Sequence, residues 1–187
     1  MKKILVLTFA LALSAGFASA QITNTSSPML PTTDATCIDN ISGDGDISDT
    51  IAFTETGTIT DANVRVEFIH TWRSDLQFHV EYSLGGGDVL LAADHDGSSD
   101  NYYATFDDEA GTACSADCGV TSPCDTAPGP TCTPDGTLAS FYTLASPGTW
   151  TIFACDDAFG DAGELVSWAV TLDGPGLPVE LMSFQVD

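Results

Sequence analysis

Between positions 76 and 84, Leu76, Phe78, Val80, Tyr82 and Leu84 alternate strictly with Gln77, His79, Glu81 and Ser83. A two-residue period turns apolar side chains to one side of an extended chain and polar ones to the other, and no helix sustains it. The segment predicts a strand with one face in a core and the other in water. Shorter alternations place Val64, Val66 and Phe68 around Arg65 and Glu67, and Val166, Trp168, Val170 and Leu172 on one side of a second strand. Runs at 51–56, 89–93, 138–144 and 150–155 carry the β-branched and aromatic enrichment of buried strands. Beyond residue 20 no segment shows a helical stripe, and Gly, Asp and Pro turns separate the runs. The expected fold class is all-β, an antiparallel β-sandwich of jelly-roll type.

Charge narrows the functions open to such a fold. The chain holds 27 Asp plus Glu against four Lys plus Arg, a formal net charge of −23. Lys2 and Lys3 precede an apolar run at 4–13 and the small-residue exit Ala18-Ser19-Ala20, which is the pattern of a secretory signal peptide cleaved after Ala20. The expected location is therefore secreted, extracellular, with no retained membrane span. Losing residues 1–20 makes the charge two units more negative and leaves Arg65 and Arg73 as the permanent cations. A surface of that sign repels phosphate backbones and anionic headgroups, which argues against nucleic acid as a partner. The abundant Val, Ile, Leu, Phe and Trp argue for a packed core rather than acidic disorder.

Residues 21–46 form a Ser-, Thr- and Pro-rich lead-in without an apolar period, read as flexible. The sandwich is expected over 47–174, with a loop insertion at 109–136 that holds Val120 as its one large apolar residue. A tail at 175–187 ends the chain, and Pro178 with Val179 and Leu181 suits a last edge strand. Six cysteines, Cys37, Cys114, Cys118, Cys124, Cys132 and Cys155, in an exported chain point to disulfides. The insertion cannot bury enough surface to hold itself, so staples there make physical sense. The expectation is that Cys114, Cys118, Cys124 and Cys132 pair among themselves and Cys37 pairs with Cys155, the order within the four being open. A zinc site is disfavoured, because the four lack a paired C-x2-C framework.

Five ordered blocks resemble those of a known family. They are His70-Thr71-Trp72-Arg73-Ser74-Asp75-Leu76, Ser99-Asp100-Asn101, Thr105-Phe106-Asp107-Asp108-Glu109-Ala110, Gly148-Thr149-Trp150-Thr151, and Gly160-Asp161-Ala162-Gly163-Glu164-Leu165 with Ser167-Trp168. In order and spacing they resemble the P domain, also called P/Homo B domain, of proprotein convertases and bacterial subtilisin-like serine proteases. Leu84-Gly85-Gly86-Gly87-Asp88 replaces that family's Ser-Pro-x-Gly type turn, and the Cys-rich stretch is an insertion relative to it. The resemblance implies a module that packs on and stabilises a catalytic domain, here without one. Neither a Gly-x-Ser-x-Gly elbow nor a Gly-Thr-Ser-Met-Ala segment occurs. His70, Ser74 and Asp75 are too close in sequence to make a triad, and no catalytic residue is assigned.

The remaining chemistry lies in carboxylates. Asp94, Asp96, Asp100, Asp107, Asp108, Asp156, Asp157 and Asp161 fall in clusters, and calcium takes six to eight oxygen ligands. An EF-hand starting at Asp94 fails, with Ser99 and Thr105 where Gly and Glu belong. Any calcium site must be assembled from separate loops. The competing reading is that these Asp residues cap turns and hydrate the surface. Three functions follow in order of preference. The first is a secreted, non-catalytic, calcium-stabilised module associated with proteolysis, its partner a subtilisin-like protease domain. The second is a calcium-dependent module binding an extracellular surface ligand or carbohydrate, and the third a serine-type endopeptidase in its own right. His79 and His95 are read as solvated, Trp150 and Trp168 as core, and Trp72 as an open surface ring or one stacked on Arg73.

Overall fold

The computed structural model describes residues 20–32, 47–95, 98–118 and 123–178. Ten strands form two layers. They are β1 (Ala20–Ser26), β2 (Leu30–Pro31), β3 (Ile47–Phe53), β4 (Asp61–Ile69), β5 (Leu76–Tyr82), β6 (Asp88–Ala93), β7 (Tyr102–Phe106), β8 (Thr131–Cys132), β9 (Gly148–Asp156) and β10 (Glu164–Gly174). One sheet runs β1-β10-β4-β7-β8, with β2 also pairing β10, and the other runs β3-β9-β5-β6. All pairs are antiparallel except β7 with β8. The all-β sandwich expected from the alternations is the observed architecture.

The inner faces supply the core. Val64, Val66 and Phe68 of β4 meet Phe78 and Val80 of β5 and Trp150 and Ile152 of β9 in one buried cluster. Tyr82 stacks on Trp150 with ring centroids 4.8 Å apart, and Phe141 meets the same indole edge-on at 4.7 Å. Trp168 is fully buried and its indole N–H donates to Asp49 across the layers at 2.7 Å. Aromatic rings with a satisfied polar tip are the large contributors to such a core. A bulge between Leu165 and Ser167 resets the phase of β10, so Leu165 points inward with Trp168, Val170 and Leu172, and Val166 does not.

Several expectations are corrected. The lead-in is not wholly flexible: its first residues make β1, seven rungs against β10, so the sandwich starts before residue 47. Backbone pairing along an existing strand holds β1, and such an edge needs no apolar period. Residues 138–144 are not a strand; Leu138–Phe141 is a 3-10 turn that drops two apolar side chains onto the core. β5 is covered on both faces: Gln77 and His79 are buried as well as Phe78, Gln77 bonded to Asp157 and His79 set beside Asp88. Leu84, assigned to the core, is exposed in the turn. Trp150 and Trp168 are core, as expected. The expected signal peptide, apart from Ala20, and the tail beyond Pro178 lie outside the described residues.

The Cys-rich insertion carries the short helix α1 (Cys114–Asp117) and is stapled by Cys114–Cys132 and Cys118–Cys124. The four cysteines therefore pair among themselves. Cys155 is disulfide-bonded too, and Cys37, its expected partner, lies outside the described residues. What fastens the insertion to the sandwich is Arg73, fully buried in the turn between β4 and β5. Its Nε donates to Asn101 O at 2.6 Å, one terminal nitrogen to Cys118 O at 2.6 Å, and the other to Asp100 O at 2.8 Å and to the Asp125 carboxylate. The guanidinium carbon lies 5.9 Å from the Tyr102 ring centroid, so it is this ring and not Trp72 that it meets. A planar fork serves several oxygens at fixed angles, and an ammonium does not. Arg73→Lys is expected to lower stability by at least about 2 kcal/mol, because carbonyls are stranded without donors. Urea unfolding of the two proteins measures this, and equal midpoints contradict it.

Candidate functional site

Four chain segments meet at the end of the sandwich where β4 finishes and β10 starts. Thr32 follows β2, Ile69 to Asp75 makes the turn after β4, Ser99 to Asn101 precedes β7, and 156–164 joins β9 to β10. Gly163 lets them close up. Any Cβ there would overlap the Ile69 carbonyl and the His70 ring, and the Thr32 backbone N–H donates to the Gly163 carbonyl at 2.9 Å. Asn101 adopts a positive φ of 55° and ties back to the same turn, its N–H donating to His70 O at 2.9 Å.

At the centre lies a buried pair. His70 Nε2 is 3.0 Å from Asp156 Oδ2, and both side chains are sealed from solvent. His70 Nδ1 is 2.7 Å from Trp72 O and 3.0 Å from Trp72 N. Both ring nitrogens are thus engaged, and neither points at a hydroxyl nucleophile. The other two histidines are likewise buried beside carboxylates, which corrects their reading as solvated. His79 Nδ1 lies 3.0 Å from Asp88, and His95 bridges Asp135 at 2.8 Å and the Tyr102 hydroxyl at 2.8 Å. Among the described residues no imidazole meets a serine hydroxyl, so none of them shows the acyl-transfer arrangement of nucleophile, base and orienting acid.

The carboxylates named from the sequence are dispersed among separate tasks. Asp161 accepts from Thr71 Oγ1 at 2.6 Å and Asp157 from Gln77 Nε2 at 2.6 Å. Asp107 takes the Glu109 N–H at 2.8 Å. Asp108 caps the 3-10 turn at Leu138–Phe141, accepting from Leu138 N at 3.0 Å, Ala139 N at 2.8 Å and Thr137 Oγ1 at 2.6 Å. Asp100 is exposed, and its carbonyl, not its carboxylate, serves Arg73. Asp94 sits at a positive φ of 55° at the end of β6, and Asp96 lies outside the described residues. Among the described residues no group of three or more His, Cys, Asp or Glu is arranged to hold a metal ion. Among the described residues, Asp107, Asp108, Asp156, Asp157 and Asp161 of the expected ligand set engage donors of the protein itself.

Above the buried pair opens a cleft of about 410 Å³ lined by Pro31, Thr32, Ile69, His70, Thr71, Asp100, Asn101, Ala162, Gly163 and Glu164. Ile69 is 39% exposed, and Trp72, which follows the lining segment, is 42% exposed, whereas Trp150 and Trp168 are sealed. Sequence reasoning missed this cleft, since its lining comes from four separate stretches of the chain. The second and fifth blocks of the resemblance held its carboxylates, Asp100 and Glu164, without showing that they met.

No family model matches the chain. No curated protein matches it in sequence. Among solved structures it is similar to the serine protease of Aeromonas sobria, at 16% identity and a TM-score of 0.53, over 84% of this chain and 27% of that one. The likeness is one of fold. The crystal structure of the same protease with its chaperone gives 14% identity and a TM-score of 0.52 over the same shares. This chain thus spans about a quarter of the length of the protease it matches. Among the described residues no helix is long and apolar enough to cross a membrane.

Burial pushes the Asp75 carboxyl above the usual carboxylate range; the Asp156 and Asp161 charges push it the same way, while the Ser74 hydrogen bond and His70 pull it back. The folded form thus holds this proton more tightly than the unfolded chain. The ionised carboxylate weakens the fold at pH values above its folded pKa; that penalty fades as pH falls through the folded pKa and is gone below the unfolded value of about 3.9. Asp75→Asn is expected to raise the melting temperature at neutral pH, with the gain vanishing in acid. Melts from neutral pH down to about pH 3 check this, and a gain that stays constant with pH contradicts it.

Proposed function

We propose that this chain is a non-catalytic β-sandwich module that works beside a subtilisin-like serine endopeptidase domain in an extracellular, oxidising compartment. The observation that carries the reading is the match of most of this sandwich to about a quarter of a serine protease chain, taken with histidines that are committed to carboxylates and backbone. The paired cysteines of the insertion suit export, because thiols in reducing compartments are not kept as structural disulfides. The five blocks quoted from the sequence, which resemble those of the P domain, supply the subtilisin-like part of the proposal.

The test is capture by the purified chain from the secreted proteins of its host, in the presence of a fluorophosphonate that labels active serine hydrolases. The expected result is a captured, labelled serine protease and no peptide hydrolysis by the chain alone. Hydrolysis by the chain alone, abolished by one serine substitution, overturns the non-catalytic role. Absence of any labelled protein among those captured overturns the association.

Calcium stabilisation is a separable part of the proposal and rests on charge balance: four Lys plus Arg face 27 carboxylates, and a divalent ion relieves repulsion among them. A ligand that binds the folded state alone raises its stability by mass action. Thermal melts with calcium and with chelator are expected to differ by several degrees, with calcium the higher. Equal melts, with no ion seen by native mass spectrometry, remove calcium from the proposal.

A further inference from the structure

The charge around the cleft is of one sign. Asp100 and Glu164 line it, and Asp161 stands in the same loop as the lining residues Ala162 and Gly163. Neither permanent cation among the described residues is available to it. Arg73 is buried and committed to four oxygens, and Arg65 pairs with Glu67 at 3.2 Å, in the middle of β4. Glu164 is held in place by its register, opposite Ile69 of β4 and Pro31 of β2. Its Oε1 is buried and has no hydrogen-bond partner. A carboxylate oxygen withdrawn from water without a donor costs free energy that a cationic donor recovers. Ile69 and Trp72 add exposed apolar and aromatic surface beside these acids.

We propose that this cleft is a docking site for a basic side chain of a partner protein, an arginine seated between Glu164 and Asp100 with its stem along Ile69. Arginine suits it better than lysine, because a planar guanidinium engages a carboxylate with two donors and lies flat on an indole. The whole-chain charge of −23 steers a basic partner surface toward the site, and the cleft fixes its position. The inference rests on the reading of this chain as a module that acts beside a second protein, and it names the surface through which it does so.

The probe is a tri-arginine peptide, titrated at physiological salt. Trp150 and Trp168 are sealed, so indole fluorescence changes report on Trp72, and amide shifts by NMR locate the contact. The expected result is saturable binding with shifts confined to residues 69–72, 99–101 and 162–164. Glu164→Gln is expected to weaken binding about tenfold or more. Glu81→Gln, which removes the same charge near the far end of β5, is expected to leave affinity within about twofold, since only screened long-range attraction changes. Should Glu164→Gln fail to fold, Asp100→Asn serves, since Asp100 is exposed and keeps the carbonyl that Arg73 uses. No saturable binding, shifts spread over the acidic surface, or equal losses in the Glu164 and Glu81 variants each overturn the proposal. The peptide experiment contains no protease, so failure here with a labelled protease still captured sinks the cleft and leaves the module reading standing.

Discussion

Arg73 is the side chain on which the arrangement of this end of the protein depends. It is one of four cations in the chain, and it is spent in the interior. From the turn after β4 it gathers the carbonyls of Asp100, Asn101 and Cys118 and the carboxylate of Asp125, drawn from the segment before β7 and from the insertion. Burying a guanidinium is costly unless its donors are met, and here each of its nitrogens has at least one oxygen. The consequence is geometric: three segments with little apolar content of their own are held in one relative position. The insertion is thereby fastened to the sandwich by polar bonds, with the two disulfides supplying its internal stiffness.

The His70–Asp156 pair does for the floor of the cleft what Arg73 does for its flank. It links the end of β9 to the turn after β4, and Thr32 and Gly163 close over it from β2 and β10. The same His-Asp chemistry recurs at His79 with Asp88 and at His95 with Asp135. All three histidines of the chain are thus packed beside an acid, in a molecule where acids are plentiful and cations scarce. That use of imidazoles is structural, and it leaves the exposed carboxylate of Asp100 and the half-buried one of Glu164 as the available polar chemistry at this end.

What could be read from the sequence was whatever local periodicity encodes. β4, β5, β6, β9 and β10 were legible because their apolar residues recur in step with the pleat or fill short buried runs. The pairing of the insertion's cysteines among themselves was legible because a loop poor in apolar residues needs staples. β1 was not, since its hold comes from seven rungs on β10, a strand more than a hundred residues away. β7 was missed because Tyr102, Ala104 and Phe106 alternate over only five residues beside acidic blocks. The sites were less legible than the fold. Asp108 is a helix-turn cap thirty residues from its donors, and nothing near it in sequence separates that task from metal binding. Arg73 carried the one available hint: in a chain this short of cations, an arginine inside a motif block was a candidate for a buried role.

The outer side of β7 has a further effect on the molecule. The backbone amides of Thr105 and Asp107 face away from β4, and the insertion takes both, through Pro130 O and Cys132 O at 2.9 and 3.0 Å. β8 is two residues long, parallel to β7, and anchored through Cys132 to Cys114. A second copy approaching from this side finds no extended ladder to lengthen, because the terminal rung is short, covalently tethered and oriented against the usual hairpin sense. The stapled loop thus acts as a stopper on growth of the sheet along that border.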